Sequence, residues 1–268
     1  MREELKSAAG KSGGDPDESI HEIRKHLKRT RGVLRLVEGE LGKEYDVEAG
    51  VLREIGQTLS SVRDASAIIE TFDELADKYS ESPEAQHFAT IRRGLMKRKL
   101  AIEKHEGVEA VLTKIRADLW AARERVTAWP LEKDGFPALR TALKKTLRRG
   151  KERFAHAKKH PESENFHAWR KSVKEHWYQI QLLEGLWDDG MPKYEKRLKK
   201  LGNALGTDHN LQVLREQITN EAVLKLIDKY QNRLRERCLV AGERIYRCGA
   251  TKFVHHVETL WDAWAQSA

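Results

Sequence analysis

The sequence is poor in the residues that build disulfides, strands and membrane spans. It has two cysteines in 268 residues, Cys238 and Cys248, and no CxxC pair. That argues against a disulfide framework and fits a reducing compartment. The six prolines fall near segment breaks. No stretch alternates apolar and polar residues long enough to read as a strand. No apolar run approaches the roughly 18 residues of a membrane span, and the opening MREELKSAAGKSGGDPDES lacks the apolar centre of a signal peptide. A cytoplasmic protein without a membrane partner is expected. GxxxxGK[ST] and GxGxxG loops are missing, so nucleotide chemistry has no support. His21-Glu22 is followed by His26, not by the His of HExxH, and His255-His256 are adjacent and diverge. No Ser-His-Asp or Cys-His set can be placed. Neither a metal nor a cofactor is expected, and the chain reads as a non-enzyme.

What is there is charge. The formal net charge is +8, the pI about 9.3, and 34% of residues are charged. A polyanionic partner follows: nucleic acid, anionic lipid or a phosphate polymer. The charge is organised around Glu18–Glu38, ESIHEIRKHLKRTRGVLRLVE. Ile20, Ile23, Leu27, Thr30, Leu34 and Val37 recur at helical spacing and form a mainly apolar seam. His21, Arg24, Lys28, Arg31 and Arg35 form a second row one position on, so it borders the seam. Like charges at this spacing destabilise a helix by roughly 0.2–0.5 kcal/mol per pair. No acid within the row offsets them, so anions must come from elsewhere in the fold or from a ligand.

The rest of the chain reads as helices, making the protein all-α. Residues 1–15, with Gly10, Gly13 and Gly14, read as a loose tail. Helices are expected over 45–60, 64–79, from Pro83 to about 104, and 109–129. After a break at 130–137 they follow over 137–160, 164–186, 192–205, 211–219, 221–247 and 253–264. Trp120, Trp129, Trp187, Trp261 and Trp264 read as packing residues.

The chain also repeats itself. His167-Ala-Trp-Arg-Lys-Ser-Val-Lys174 matches His21-Glu-Ile-Arg-Lys-His-Leu-Lys28 at an offset of 146. Phe166, Trp169, Val173, Ile180 and Leu183 renew the seam, with His176 in place of Thr30. The same offset, without a gap, aligns Leu52–Leu59 with Leu198–Leu205, Arg63-Asp64 with His209-Asn210, and Arg98 with Arg244. A register shared across helix, loop and helix points to duplication. Repeat one would span about 16–135 and repeat two about 136–268.

These residues resemble the CHAD family, the conserved-histidine α-helical domain, whose signature is a helix carrying His-x-x-Arg-x-x-x-Lys-x-x-Arg, given twice. The first copy is complete in His21, Arg24, Lys28 and Arg31. The second has His167, Arg170 and Lys174, but Trp177 takes the last basic place and Gln181 stands where Arg35 would be. Leu59–Asp64 and Leu205–Asn210 look like two copies of the family's Leu-Gly-x-x-Arg-Asp turn; the first lacks the Gly and the second the Arg-Asp pair. The resemblance implies a duplicated helical bundle, two lobes of about four long helices each, related by a pseudo-two-fold about a basic channel. It implies binding of inorganic polyphosphate and association with polyphosphate granules.

The candidate phosphate ligands are therefore the two rows, with Lys171 beside Arg170. Arg63, Arg98, Arg244, Arg149 and Arg153 are added as further basic walls. Arginine meets two phosphate oxygens with a planar fork, and lysine acts as a mobile point charge. His21 and His167 donate hydrogen bonds when neutral; each could equally be a histidine bonded to protein at the core edge. Asp64 reads as a cap or an orienting group. The rival readings are a nucleic-acid binder and an enzyme acting on phosphate polymers or inositol phosphates. A granule scaffold is compatible with the leading one.

Overall fold

The computed structural model describes residues 1–10, 16–131, 133–186 and 190–267. It holds twelve α-helices and, among the described residues, no strand. Helix α1 (Arg2–Ala9) precedes the signature helix α2 (Pro16–Leu36). Then come α3 (Glu38–Leu41), α4 (Lys43–Thr58) and α5 (Ser60–Lys78). A 3₁₀ turn at Pro83–His87 leads into α6 (Phe88–Glu106), which meets α7 (Val108–Arg125) at Gly107. Gly107 has φ +56°, a left-handed geometry that glycine adopts without strain, so one residue ends α6 and redirects the chain into α7. The second half comprises α8 (Phe136–Lys159), the second signature helix α9 (Ser163–Leu182), α10 (Met191–Arg215), α11 (Glu221–Tyr246) and α12 (Ala250–Ser267).

Three apolar cores hold these helices. Ile20, Ile23, Leu27 and Leu34 of α2 pack with residues of α1, α4 and α7. Phe166, Trp169, Val173 and Ile180 of α9 pack with α8, α10, the end of α11 and α12. The third core joins the two halves: Ile68, Phe72 and Leu75 of α5 and Leu95 of α6 meet Leu211 and Leu214 of α10 and Ile227 and Tyr230 of α11. The period-3.6 seams read from the sequence are thus the buried faces. Thr30 and His176, the polar members of the seams, are both buried. His176 shares a 3.0 Å hydrogen bond with Tyr194, and burial pushes its imidazole down to about 3.

Four expectations change. Residues 2–9 are not a tail: Leu5, Ala8 and Ala9 are buried, and α1 packs on both α2 and α7. It stands in the first half where α8 stands in the second, beside the signature helix and that half's last helix. Residues 11–15 lie outside the described residues. Second, the break expected between 205 and 211 is absent: α10 runs unbroken from Met191 and ends at Arg215, short of 219. Gly206 does not adopt positive φ, and Asp208 is buried with its carboxylate bonded to Arg235 at 2.7 Å. The matching segment does break, between α4 and α5, where the Gly56 carbonyl accepts from both Ser60 Oγ (2.9 Å) and Arg24 (3.1 Å). Third, the basic stretch after Pro83 begins with a 3₁₀ turn before α6. Fourth, two of the packing tryptophans pack at the surface: Trp120 lies under Arg123 and Trp264 against Trp261, both exposed, while Trp187 lies outside the described residues.

Candidate anion-binding site

Helices α2 and α9 touch at Gly32, where a Cβ would stand 2.9 Å from the Cβ of Tyr178. This close approach sets the two basic rows side by side around a cavity of about 360 Å³. Lys28, Arg31 and Arg35 enter it from α2, and Arg170, Lys171 and Lys174 from α9. Arg149 and Arg153 of α8 and Arg53 of α4 extend the wall.

Two carboxylates neutralise part of this charge. Glu175 accepts from Arg149 at 2.5 Å and from Thr146 at 3.0 Å, and lies 3.5 Å from Arg35. Asp64 lies 3.4 Å from Arg24. Arg153 is held by the Ala168 carbonyl (3.1 Å) and Ser172 Oγ (2.9 Å). By contrast, among the described residues no carboxylate lies within ion-pair distance of Lys28, Arg31, Arg53, Arg170 or Lys171. The buried Nε of Arg170 has no hydrogen-bond partner. Lys174 donates to Asn203 (2.9 Å) and stands 4.5 Å above the Trp177 ring.

The cost of this crowding shows in the lysines. Lys28 is exposed at the residue level, yet it lines the cavity among other cations. Burial first, and then Arg24, Arg170, Lys174 and Arg63, push its pKa down to about 7. Burial, Arg170 and Lys199 push Lys174 down to about 8. Burial also lowers Arg31, with Arg35 and Arg53 adding to the effect. Charges from both signature helices therefore bear on one point, where the nearby carboxylates Asp64 and Glu175 are outnumbered by cations.

The histidines lie apart from the cavity. His21 is exposed near the start of α2, and burial and Arg63 lower its pKa. His167 faces His209 with ring centroids 4.1 Å apart, and both are pushed down to about 4, mainly by burial. His209 is the residue that the offset pairs with Arg63. Arg63 itself is held by Glu70 through two bonds of 3.0 Å. Arg98 and Arg244 are not brought to the cleft. Arg98 donates to the Gln217 carbonyl at 3.1 Å, and Arg244 is exposed on α11. Trp177 and Gln181 turn towards Glu195 of α10, at 2.5 Å and 3.5 Å. That half of the row is spent on packing.

Residues 3–219 match the CHAD domain. The chain belongs to the CHAD family. The crystal structure of the CHAD domain from the plant Ricinus communis shares the fold, with a TM-score of 0.54 at 16% identity, covering 98% of this chain and 86% of that chain. A comparison with curated proteins finds no match. The family match begins inside α1, so that helix is part of the CHAD domain, as its packing requires. Sequence reasoning missed Arg53, although the offset pairs it with another base, Lys199. It also missed Glu175, for which the signature has no place. No described helix is long and apolar enough to cross a membrane.

Proposed function

We propose that this CHAD protein binds inorganic polyphosphate in the cleft between α2 and α9, without turning it over, and associates with polyphosphate granules through it. The observation that carries this reading is Lys28, set among Arg24, Arg170 and Lys174 with no carboxylate partner and pushed down to about 7. A phosphate chain would supply the missing anions to groups from both halves at once, through charge-assisted hydrogen bonds. Glu175 and Asp64 already take part of the cationic surface, which favours a ligand dense enough in charge to compete with them.

The deciding experiment is competitive binding of polyphosphate, DNA, RNA and inositol hexakisphosphate at several salt concentrations. Polyphosphate should win, with affinity falling as salt rises. If about four phosphates are neutralised, single-strand behaviour gives a log–log slope of about −3. Replacing Arg24, Lys28, Arg170 and Lys174 together by Glu should abolish binding while leaving helicity intact. Normal binding by that variant, or preference for a nucleic acid that polyphosphate does not displace, overturns the proposal. Loss of polymer in the presence of the wild-type protein and Mg²⁺ overturns its non-enzymatic part.

A further inference from the structure

Helix α8 carries two cationic stripes, and the cleft uses only one. Arg149 and Arg153 face the cleft. At about 100° per residue, Lys144, Arg148 and Lys151 form a stripe on the opposite face. That stripe lines a groove of about 530 Å³, closed on its other side by Tyr246, Cys248 and Thr251 where α11 gives way to α12. The volume lies in the roughly 300–1,000 Å³ range of small-ligand pockets. Neighbouring cations on α8 are neutralised by the fold: Lys145 by Glu38 and Lys158 by Glu243. Among the described residues, no carboxylate lies within ion-pair distance of Lys144, Arg148 or Lys151. Among the described residues, Glu152 is the one acid lining the groove. Three unpaired cations at helical spacing repel one another, as in the signature row.

We infer that this outer groove is a second binding site for phosphate oligoanions, independent of the cleft. A polymer could then be held on both faces of α8, which are roughly 10 Å apart. The choice of phosphate chains rests on the proposed function; the site itself rests on the groove.

Cys248 makes the site measurable. It is exposed in the groove, while Cys238 is buried, so a neutral alkylating reagent reports on the groove alone. Iodoacetamide labelling of the full chain is timed with and without tripolyphosphate, against sodium chloride of equal ionic strength. At about ten times the dissociation constant, protection should approach about tenfold. It should persist in the cleft variant K28E/R170E and vanish in K144E/R148E/K151E, whose cleft binding by calorimetry stays as in wild type. Labelling of the wild-type protein that saturating tripolyphosphate does not slow, or slows no more than the chloride control, overturns the inference and leaves the cleft reading intact. Protection without calorimetric binding at the cleft does the reverse.

Discussion

Gly32 and Tyr178 meet where the two signature helices touch, and they are the pair that the offset of 146 makes equivalent. The helices thus cross at corresponding positions, which is what a two-fold relation between the halves would require. A side chain at Gly32 must push α9 away, because its 2.9 Å contact is with a Cβ that cannot swing aside. Gly32→Ala should destabilise the protein by about 1–3 kcal/mol, the usual range for overpacking. It should also weaken polyphosphate binding by widening the cleft. Denaturant titration and calorimetry on one preparation check both.

Lys28→Met should make the protein more stable and a poorer binder. The pKa of about 7 in the folded state lies below the ordinary lysine value of about 10.4. Between these values the unfolded chain holds a proton that the folded one has lost, so stability rises with pH across that window. The Met variant should therefore gain most below pH 7 and nothing near pH 10.5. The lysine is partly solvated, so the gain is put at roughly 1 kcal/mol after discounting for screening. Melting curves at several pH values test the trend.

The same group should couple binding to protons. A phosphate chain beside Lys28 favours its charged form, so above pH 7 binding takes up a proton and affinity falls as pH rises. One proton corresponds to a tenfold loss of affinity per pH unit at most. Calorimetry at pH 8 in two buffers of different ionisation enthalpy should reveal the uptake. Lys28→Met should reduce it, leaving what Lys174 contributes.

Asp64→Asn should strengthen binding several-fold. Asp64 opposes the phosphate charge, and its link to Arg24 is a single 3.4 Å contact on a largely exposed side chain. Stability should change by no more than about 0.5 kcal/mol. Unchanged or weaker polyphosphate affinity would show that Asp64 orients Arg24 for the ligand.

Leu5→Ala should cost about 2–5 kcal/mol, since Leu5 is fully buried between α2 and α7. A peripheral tail would show no change in a denaturant midpoint.

The helical class and the two rows were readable because helix period and charge spacing are local properties, and the offset added a long-range relation. Residues 2–9 were misread because Leu5, Ala8 and Ala9, though at helical spacing, fill a single turn and are followed at once by Gly10, Gly13 and Gly14. The existence of α8 ahead of the second signature helix was the missing clue. The unbroken α10 escaped notice because Gly206 and the polar run after it read as a break, while Asp208 is buried there against Arg235 of another helix. Alignment across the offset did not bring Arg98 or Arg244 to the cleft. The pairing of Glu175 with Arg149 and Arg35 joins three helices and leaves no pattern along the chain.

The third core has a bearing on how such a protein can be taken apart. Helices α5 and α6 cover their apolar faces with α10 and α11, so each repeat completes the other. A gene cut just ahead of α8, at Gly135, would yield two fragments with bare, sticky surfaces. They should be insoluble when made singly and recover a fold when made together. Duplication has here become dependence, and neither copy remains free to be lost.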